Sequence, residues 1–200
     1  SLTLAADVNI GTVTVDTVTV SGVTTTGKLD LDVTGKITQS AGAAVTVTGA
    51  STLKATTDIT LADGTNDFKS TVGLEGVNVS VKDGTGGIQL GASTVTGTLG
   101  VESTGGAITQ GAAATVTGAA TFTATGQDIT LTQANDFKGA VGLNGLNVSV
   151  KDGTGGIQLG ASTVTGTLAV ESTGVGAITQ GAAATVTGAA TFTALGQDIT

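Results

Sequence analysis

The sequence predicts an all-β fold, a parallel β-helix or solenoid, and three observations carry that expectation. Near-identical segments recur about every 69 residues. Short stretches with apolar residues at every second position follow one another between glycine-containing turns. The alphabet of the 200 residues is narrowed to strand and turn formers: 42 Thr and 33 Gly, only 4 Phe, and no Pro, Cys, Met, Trp, Tyr, His or Arg.

The repeat comes first because it fixes the organisation. Residues 72–104 return at 141–173 with an offset of 69 and three differences: Glu75 against Asn144, Val77 against Leu146, Gly100 against Ala169. After Val175, an insertion, residues 107–130 match 177–200 with an offset of 70, except for Thr125 against Leu195. A diverged copy precedes them. In it Ile37-Thr38-Gln39 answers Ile108-Thr109-Gln110, Val45 to Gly49 answers the run ending at Gly118, and Asp67-Phe68-Lys69 answers Asp136-Phe137-Lys138. The expected organisation is one continuous solenoid fragment over 1–200, with repeats at 1–71 (diverged), 72–140 and 141–200 (truncated), read as a slice of a longer polypeptide. Indels of one residue fall beside Gly, where a turn absorbs them.

Within a repeat the pattern is strand, turn, strand, turn. Ile129-Thr130-Leu131, Val141-Gly142-Leu143, Val148-Ser149-Val150, Ile157-Gln158-Leu159, Thr163-Val164-Thr165, Leu168-Ala169-Val170, Thr185-Val186-Thr187 and Thr191-Phe192-Thr193 alternate with period two. Between them stand Asn144-Gly145, Asp152-Gly153, Gly155-Gly156, Gly160, Gly166, Gly181, Gly188 and Gly196, expected as turns using positive φ. No useful 3.6-residue apolar period exists, and Thr, Val and Gly at this density are poor helix formers. Asp-Gly and Asn-Gly would suit the hairpins of an antiparallel sandwich, but a sandwich has no need of near-identical copies.

Apolar triplets return after about 20 residues, from Ile129 to Val148 to Leu168. That spacing suits a rung of three short strands and three turns, about 20–23 residues, stacked at roughly 4.8 Å. About three rungs then fill one repeat, and about nine fill the chain over roughly 40 Å. The rung boundaries stay open, since the strand-like segments of a repeat do not divide evenly by three. In such a stack Val lies over Val and Phe over Phe, with Phe68 matching Phe137 and Phe122 matching Phe192. Proline is absent because every interior strand donates to its neighbour.

Composition also excludes chemistry. Without His or Cys there is no ready general base near neutral pH, no thiol nucleophile, no zinc site and no disulfide. Seven Lys against fifteen acids give a net charge of -8 and a pI near 4.1, which argues against nucleic acid and anionic membrane surfaces. With 39% apolar residues and a mean hydropathy of +0.37 the chain should fold. There is no run of about 18 apolar residues to span a bilayer as a helix, so no transmembrane segment is expected, and no basic-then-apolar leader opens the chain.

The residues that invite a site are weighed on spacing. Asp63-Gly64-Thr65-Asn66-Asp67 offers oxygens to calcium, but it fits neither the EF-hand nor the calcium β-roll spacing, and its counterpart at Gln133 to Asp136 lacks Asp63. It reads as a solvated turn. Lys82-Asp83-Gly84-Thr85-Gly86-Gly87 and its copy from Lys151 resemble a phosphate-cradling loop, but the Lys precedes the glycines and no helix follows, so a turn is expected. The carboxylates Asp58, Asp128 and Asp198, and Glu102 with Glu171, recur at the repeat period, about 14 Å apart at three rungs and beyond the ~5–9.5 Å of a glycosidase pair. Thr-x-Thr triplets at 94–96, 115–117, 121–123, 163–165, 185–187 and 191–193 raise ice binding as a remote alternative to plain β-propensity. Asn78-Val79-Ser80 and Asn147-Val148-Ser149 are glycosylation sequons. No residue is assigned as catalytic, cofactor-binding or metal-ligating, no cofactor is expected, and the chain is not expected to be an enzyme.

Ala107-Ile108-Thr109-Gln110, the run from Gly91 to Gly97, Ala119-Ala120-Thr121-Phe122, and Gln127 to Leu131 followed by Asn135-Asp136-Phe137 carry a family signal. Over about residues 28–200 they resemble the repeat region of filamentous-haemagglutinin-like exoproteins, large secreted bacterial adhesins of the two-partner secretion type. The resemblance implies a right-handed β-helical shaft, exported through an outer-membrane partner and placed outside or on the surface of a Gram-negative bacterium. That family's secretion domain and Asn-Pro motif are not in this sequence. The expected function is a structural shaft or fibre segment of such an adhesin, with a multivalent receptor- or glycan-binding face as the alternative. Expected partners are the chain itself, by end-to-end stacking, and a host or neighbouring-cell surface.

Overall fold

The computed structural model describes residues 2–4, 8–13 and 16–200, with side chains from Asp16 onward; residues 1, 5–7, 14 and 15, all in the diverged first repeat, lie outside that description. The described residues form short strands and turns without a helix. Their strands pair in parallel, as one coil lying on the next. The chain is a parallel β-solenoid. Alternation sets each strand's inward row: Leu29–Val33 buries Leu29, Leu31 and Val33, and Ile59–Leu61 buries Ile59 and Leu61.

Three sheets of 4, 12 and 11 strands wrap the core. The main path of the 12-stranded sheet stacks ten strands from Val8–Val13 to Ala190–Ala194, nine steps along the axis, or roughly 40 Å at about 4.8 Å per step. Ile129, Val148 and Leu168, the triplet starts that return after about 20 residues, are register partners on three successive coils. The 4-stranded sheet, Leu2–Leu4, Val23–Thr25, Val45–Val47 and Asp67–Phe68, gives the early coils a third side. It ends at Phe68. Beyond it four coils carry one side as a single strand and the other split in two, as where Ile88–Leu90 and Ser93–Val95 both lie on Thr71–Gly76. The split is closed by Ser93, whose hydroxyl donates to the Gly91 carbonyl at 3.0 Å and accepts the Leu74 N–H at 3.2 Å.

The repeat does not occupy a whole number of coils. From Val72 the stack passes to Leu90, Ile88 leads to Ile108, and Ile108 to Ile129, three steps within the 12-stranded sheet. Val141, the counterpart of Val72, lies half a coil further on, in the 11-stranded sheet. A repeat therefore takes three and a half coils rather than three, and equivalent strands of successive repeats fall on opposite sheets. The coil averages slightly fewer residues than a third of 69 would give, and the remainder accumulates to half a circuit.

This changes the core ladders. Aliphatic columns do form, as in Ile88–Ile108–Ile129 and Val81–Val101. Phenylalanines do not stack on their own kind: Phe122 lies between Val101 and Leu143, Phe68 on Val47, Phe137 on Val116, and Phe192 on Val170. Phe122 and Phe137 instead meet across the interior from opposite sheets, edge to face, with centroids 5.9 Å apart and planes at 71°.

Most turn glycines are small for a different reason from the one expected. Of the glycines anticipated as positive-φ turns, only Gly156 and Gly196 have that conformation. Gly153, Gly160, Gly166 and Gly188 lie where coil backbones press together. A Cβ on Gly166 would come 2.8 Å from the Leu146 carbonyl oxygen, and one on Gly188 would come 2.5 Å from that of Gly166. Asn144-Gly145 is not a turn; it ends the strand Ala140–Gly145 and pairs with Thr163 and Val164.

Candidate functional site

The densest polar chemistry lies where the third sheet ends, and it is built from residues far apart in sequence. Asn66 is buried. Its Oδ1 accepts from Gln39 Nε2 at 2.6 Å and from the Val45 N–H at 2.9 Å. Its Nδ2 donates to the carbonyls of Leu61 and Lys82, both at 3.1 Å, and to Gln39 Oε1 at 3.2 Å. One carboxamide thus ties three coils together with its donors and acceptor satisfied. Asn135 repeats the arrangement with Gln110, Ala114, Leu131 and Lys151.

Beside it, Asp83 is also fully buried. Its Oδ2 accepts the Phe68 N–H at 2.7 Å, and its Oδ1 accepts the N–H groups of Thr85, Gly86 and Gly87 at 3.0, 3.0 and 3.2 Å. The Asp-Gly-Thr-Gly-Gly segment does cradle an anion, and the anion is the carboxylate of its own aspartate. The loop amides are occupied, so the segment is a lock and not a phosphate site. Asp152 makes the same four bonds to Phe137, Thr154, Gly155 and Gly156.

The remaining candidates are dispersed. Asp63 Oδ1 accepts from the hydroxyl and N–H of Thr65, and its Oδ2 from the Gly42 N–H at 2.7 Å. These bonds, the Thr65 hydroxyl foremost, hold its carboxyl below the ordinary 3.8. No group of three or more carboxylates close enough to hold a metal occurs among the described residues. Asp58 accepts from the N–H and Nδ2 of Asn78 at 3.1 and 3.0 Å, and Asn78 Oδ1 accepts from Thr98, so the sequon carboxamide is a link in a ladder up one corner. Asp128, Asn147 and Thr167 repeat that ladder. Glu102 pairs with Lys82 at 2.8 Å and Glu171 with Lys151 at 3.4 Å, each across adjacent coils. The two glutamates lie on different sheets, as do the strands that Asp58 and Asp128 precede. Thr94 stacks on Thr115 as its spacing suggests, but the next partner is Asp136. On the 11-stranded sheet Thr60, Ser80, Gly100, Thr121 and Gly142 follow one another, so the hydroxyl row is broken by glycine.

An open groove of about 600 Å³ lies outside the lock, lined among others by Asp67, Lys69, Gly86, Gln89 and Thr109. Lys69 and Asp67 pair across its rim at 3.2 Å. The corresponding residues of the next repeat, Asp136, Lys138, Gly155, Gln158 and Thr179, have the same types in the same order.

The fold and its polar locks define a class: a solenoid repeat protein whose coils are tied by buried carboxamides and carboxylates. The chain belongs to the family described as Repeats of unknown function (DUF5649), whose model matches residues 2–75, 76–144 and 145–200 as three consecutive copies. The second and third copies start four residues after the repeats counted from Val72 and Val141, a change of phase only. No curated protein and no solved structure matches the chain.

Proposed function

We propose that the chain is a non-catalytic shaft segment of a large secreted or cell-surface bacterial adhesin. The carrying observation is the uninterrupted stack: ten strands deep, with an aliphatic core and each coil paired to its neighbours. Length in such an object is changed by adding repeats without redesign. The outward charges support the reading, because Lys54–Glu75, Lys82–Glu102 and Lys151–Glu171 pair across coils instead of converging on a reaction centre. The resemblance to haemagglutinin-like exoproteins supplies the adhesin setting and the location outside a Gram-negative cell. Solution scattering tests the shaft. Each added 69-residue repeat is expected to lengthen the particle by roughly 17 Å at constant cross-section, and growth in girth would overturn it.

A second reading, a multivalent receptor- or glycan-binding face, is favoured by the groove at Asp67, Lys69 and Gln89 and its sequence copy in the next repeat. Pull-down of the chain on host cells or matrix separates the two readings. Saturable binding lost on Lys69→Ala together with Lys138→Ala supports the binding face; its absence leaves the spacer.

A further inference from the structure

We propose that the groove beside Asp67 takes an arginine side chain presented by a basic partner protein, held through the Asp67 carboxylate, and that the equivalent position at Asp136 takes a second. The proposal goes beyond the receptor-face reading, which turns on the lysines. It turns on the carboxylates that those lysines cover.

Elsewhere this chain surrounds its carboxylates with N–H groups. Asp83 and Asp152 accept four each, and Asp58 and Asp128 accept from the backbone and side chain of one asparagine. Asp67 and Asp136 differ. Their side chains are 16% and 21% exposed, yet among the described residues a single donor reaches each: the ammonium two residues on, at 3.2 and 3.4 Å from Oδ2. Lys69 and Lys138 are themselves half exposed, and pairs of that kind are weak and readily exchanged. The second oxygen faces glycine in both copies. A Cβ on Gly86 would lie 3.7 Å from Asp67 Oδ1, and one on Gly155 would lie 3.9 Å from Asp136 Oδ1, so glycine leaves that oxygen uncovered.

The lining of the groove selects the ligand. An anion finds no loop amide, since Thr85, Gly86 and Gly87 turn theirs to Asp83. A metal ion finds one carboxylate where it needs several. A sugar ring finds no aromatic face, because Phe68 is buried. A cation finds Asp67 Oδ1 together with the Gln89 carboxamide and the Thr85 and Thr109 hydroxyls around about 600 Å³ of open space. A guanidinium spreads its donors in a plane and engages a carboxylate and flanking neutral acceptors at once, whereas an ammonium is a point charge. The chain contains no Arg, so the guanidinium belongs to a partner, and a net charge of -8 draws a basic one.

The test titrates acetyl-Gly-Arg-Gly-amide into the full chain and follows the Gly86 and Gly155 amides by NMR. Saturable shifts are expected at both, with binding at least about tenfold weaker for the same peptide carrying citrulline, the uncharged isostere. Asp67→Asn should abolish the response at Gly86 and spare that at Gly155, which reports an intact fold. Lys69→Ala should tighten binding at Gly86 by removing the internal competitor. Absence of saturable shifts, equal binding of the arginine and citrulline peptides, a Gly86 response that survives Asp67→Asn, or weaker binding in Lys69→Ala would each overturn the proposal.

Discussion

The carboxylate of Asp152 accepts the N–H of Phe137 at 2.7 Å, fifteen residues back along the chain, and so stands where the third sheet of the early coils would have supplied a carbonyl. The same side chain holds three loop amides. Asp152→Ala is expected to leave these donors without their acceptor and to cost about 3 kcal/mol or more. Urea denaturation checks the magnitude, and faster amide exchange at Phe137 than at Ile129 checks the location. A loss below about 1 kcal/mol would contradict the role given to the carboxylate.

Ser51 is the opposite case. Its buried hydroxyl has no hydrogen-bond partner, and it stands in register between Leu29 and Val72. The corresponding residues of the other copies are Ala120 and Ala190. Ser51→Ala is expected to be neutral or to stabilise by up to about 1 kcal/mol, read as an unchanged or raised urea midpoint.

Two glycines separate stacking from conformation. A Cβ on Gly97 would lie 2.9 Å from the Val77 carbonyl oxygen and 2.5 Å from Asn78 Oδ1, with no positive φ involved. Gly42 has φ of 69° and nothing within 4 Å of the same hypothetical atom. Gly97→Ala is expected to cost about 2–3 kcal/mol through overpacking, and Gly42→Ala about 1 kcal/mol through left-handed strain. Thermal unfolding of the two variants should rank them in that order.

Asp63 gives the pH dependence. Hydrogen bonds from Thr65 and Gly42 lower its carboxyl in the folded chain, so its contribution to stability is full above the ordinary value of 3.8 and fades as pH falls through the lowered one. An NMR titration of the carboxyl carbon should show a midpoint below 3.8, with the Gly42 amide shifting in step. Asp63→Asn should remove the matching segment of the stability curve, and a midpoint at or above the ordinary value would refute it.

The all-β class and the rung spacing were legible because alternation and a 20-residue return survive in the sequence, as at Ile129, Val148 and Leu168. The half-coil was not, because strands of both long sheets bury the same small aliphatic residues and nothing in Val72 or Val141 marks a side. The Gln39–Asn66 joint spans 27 residues, and no local pattern announces a partner at that distance. Asp83 reads as a turn residue in sequence; only the fold shows that its carboxylate is inside. The glycines were recognised as turn markers, but the close approach of stacked carbonyls is a property of the coil above, not of the turn.

The odd number of half-circuits per repeat arranges the copies as leaves alternate on a stem. A substitution spread through every copy decorates both flanks of the rod, and a partner resting on one flank meets only every second copy, roughly 34 Å apart. Two rods approaching side by side would offer each other the same staggered spacing whichever flank they turned inward.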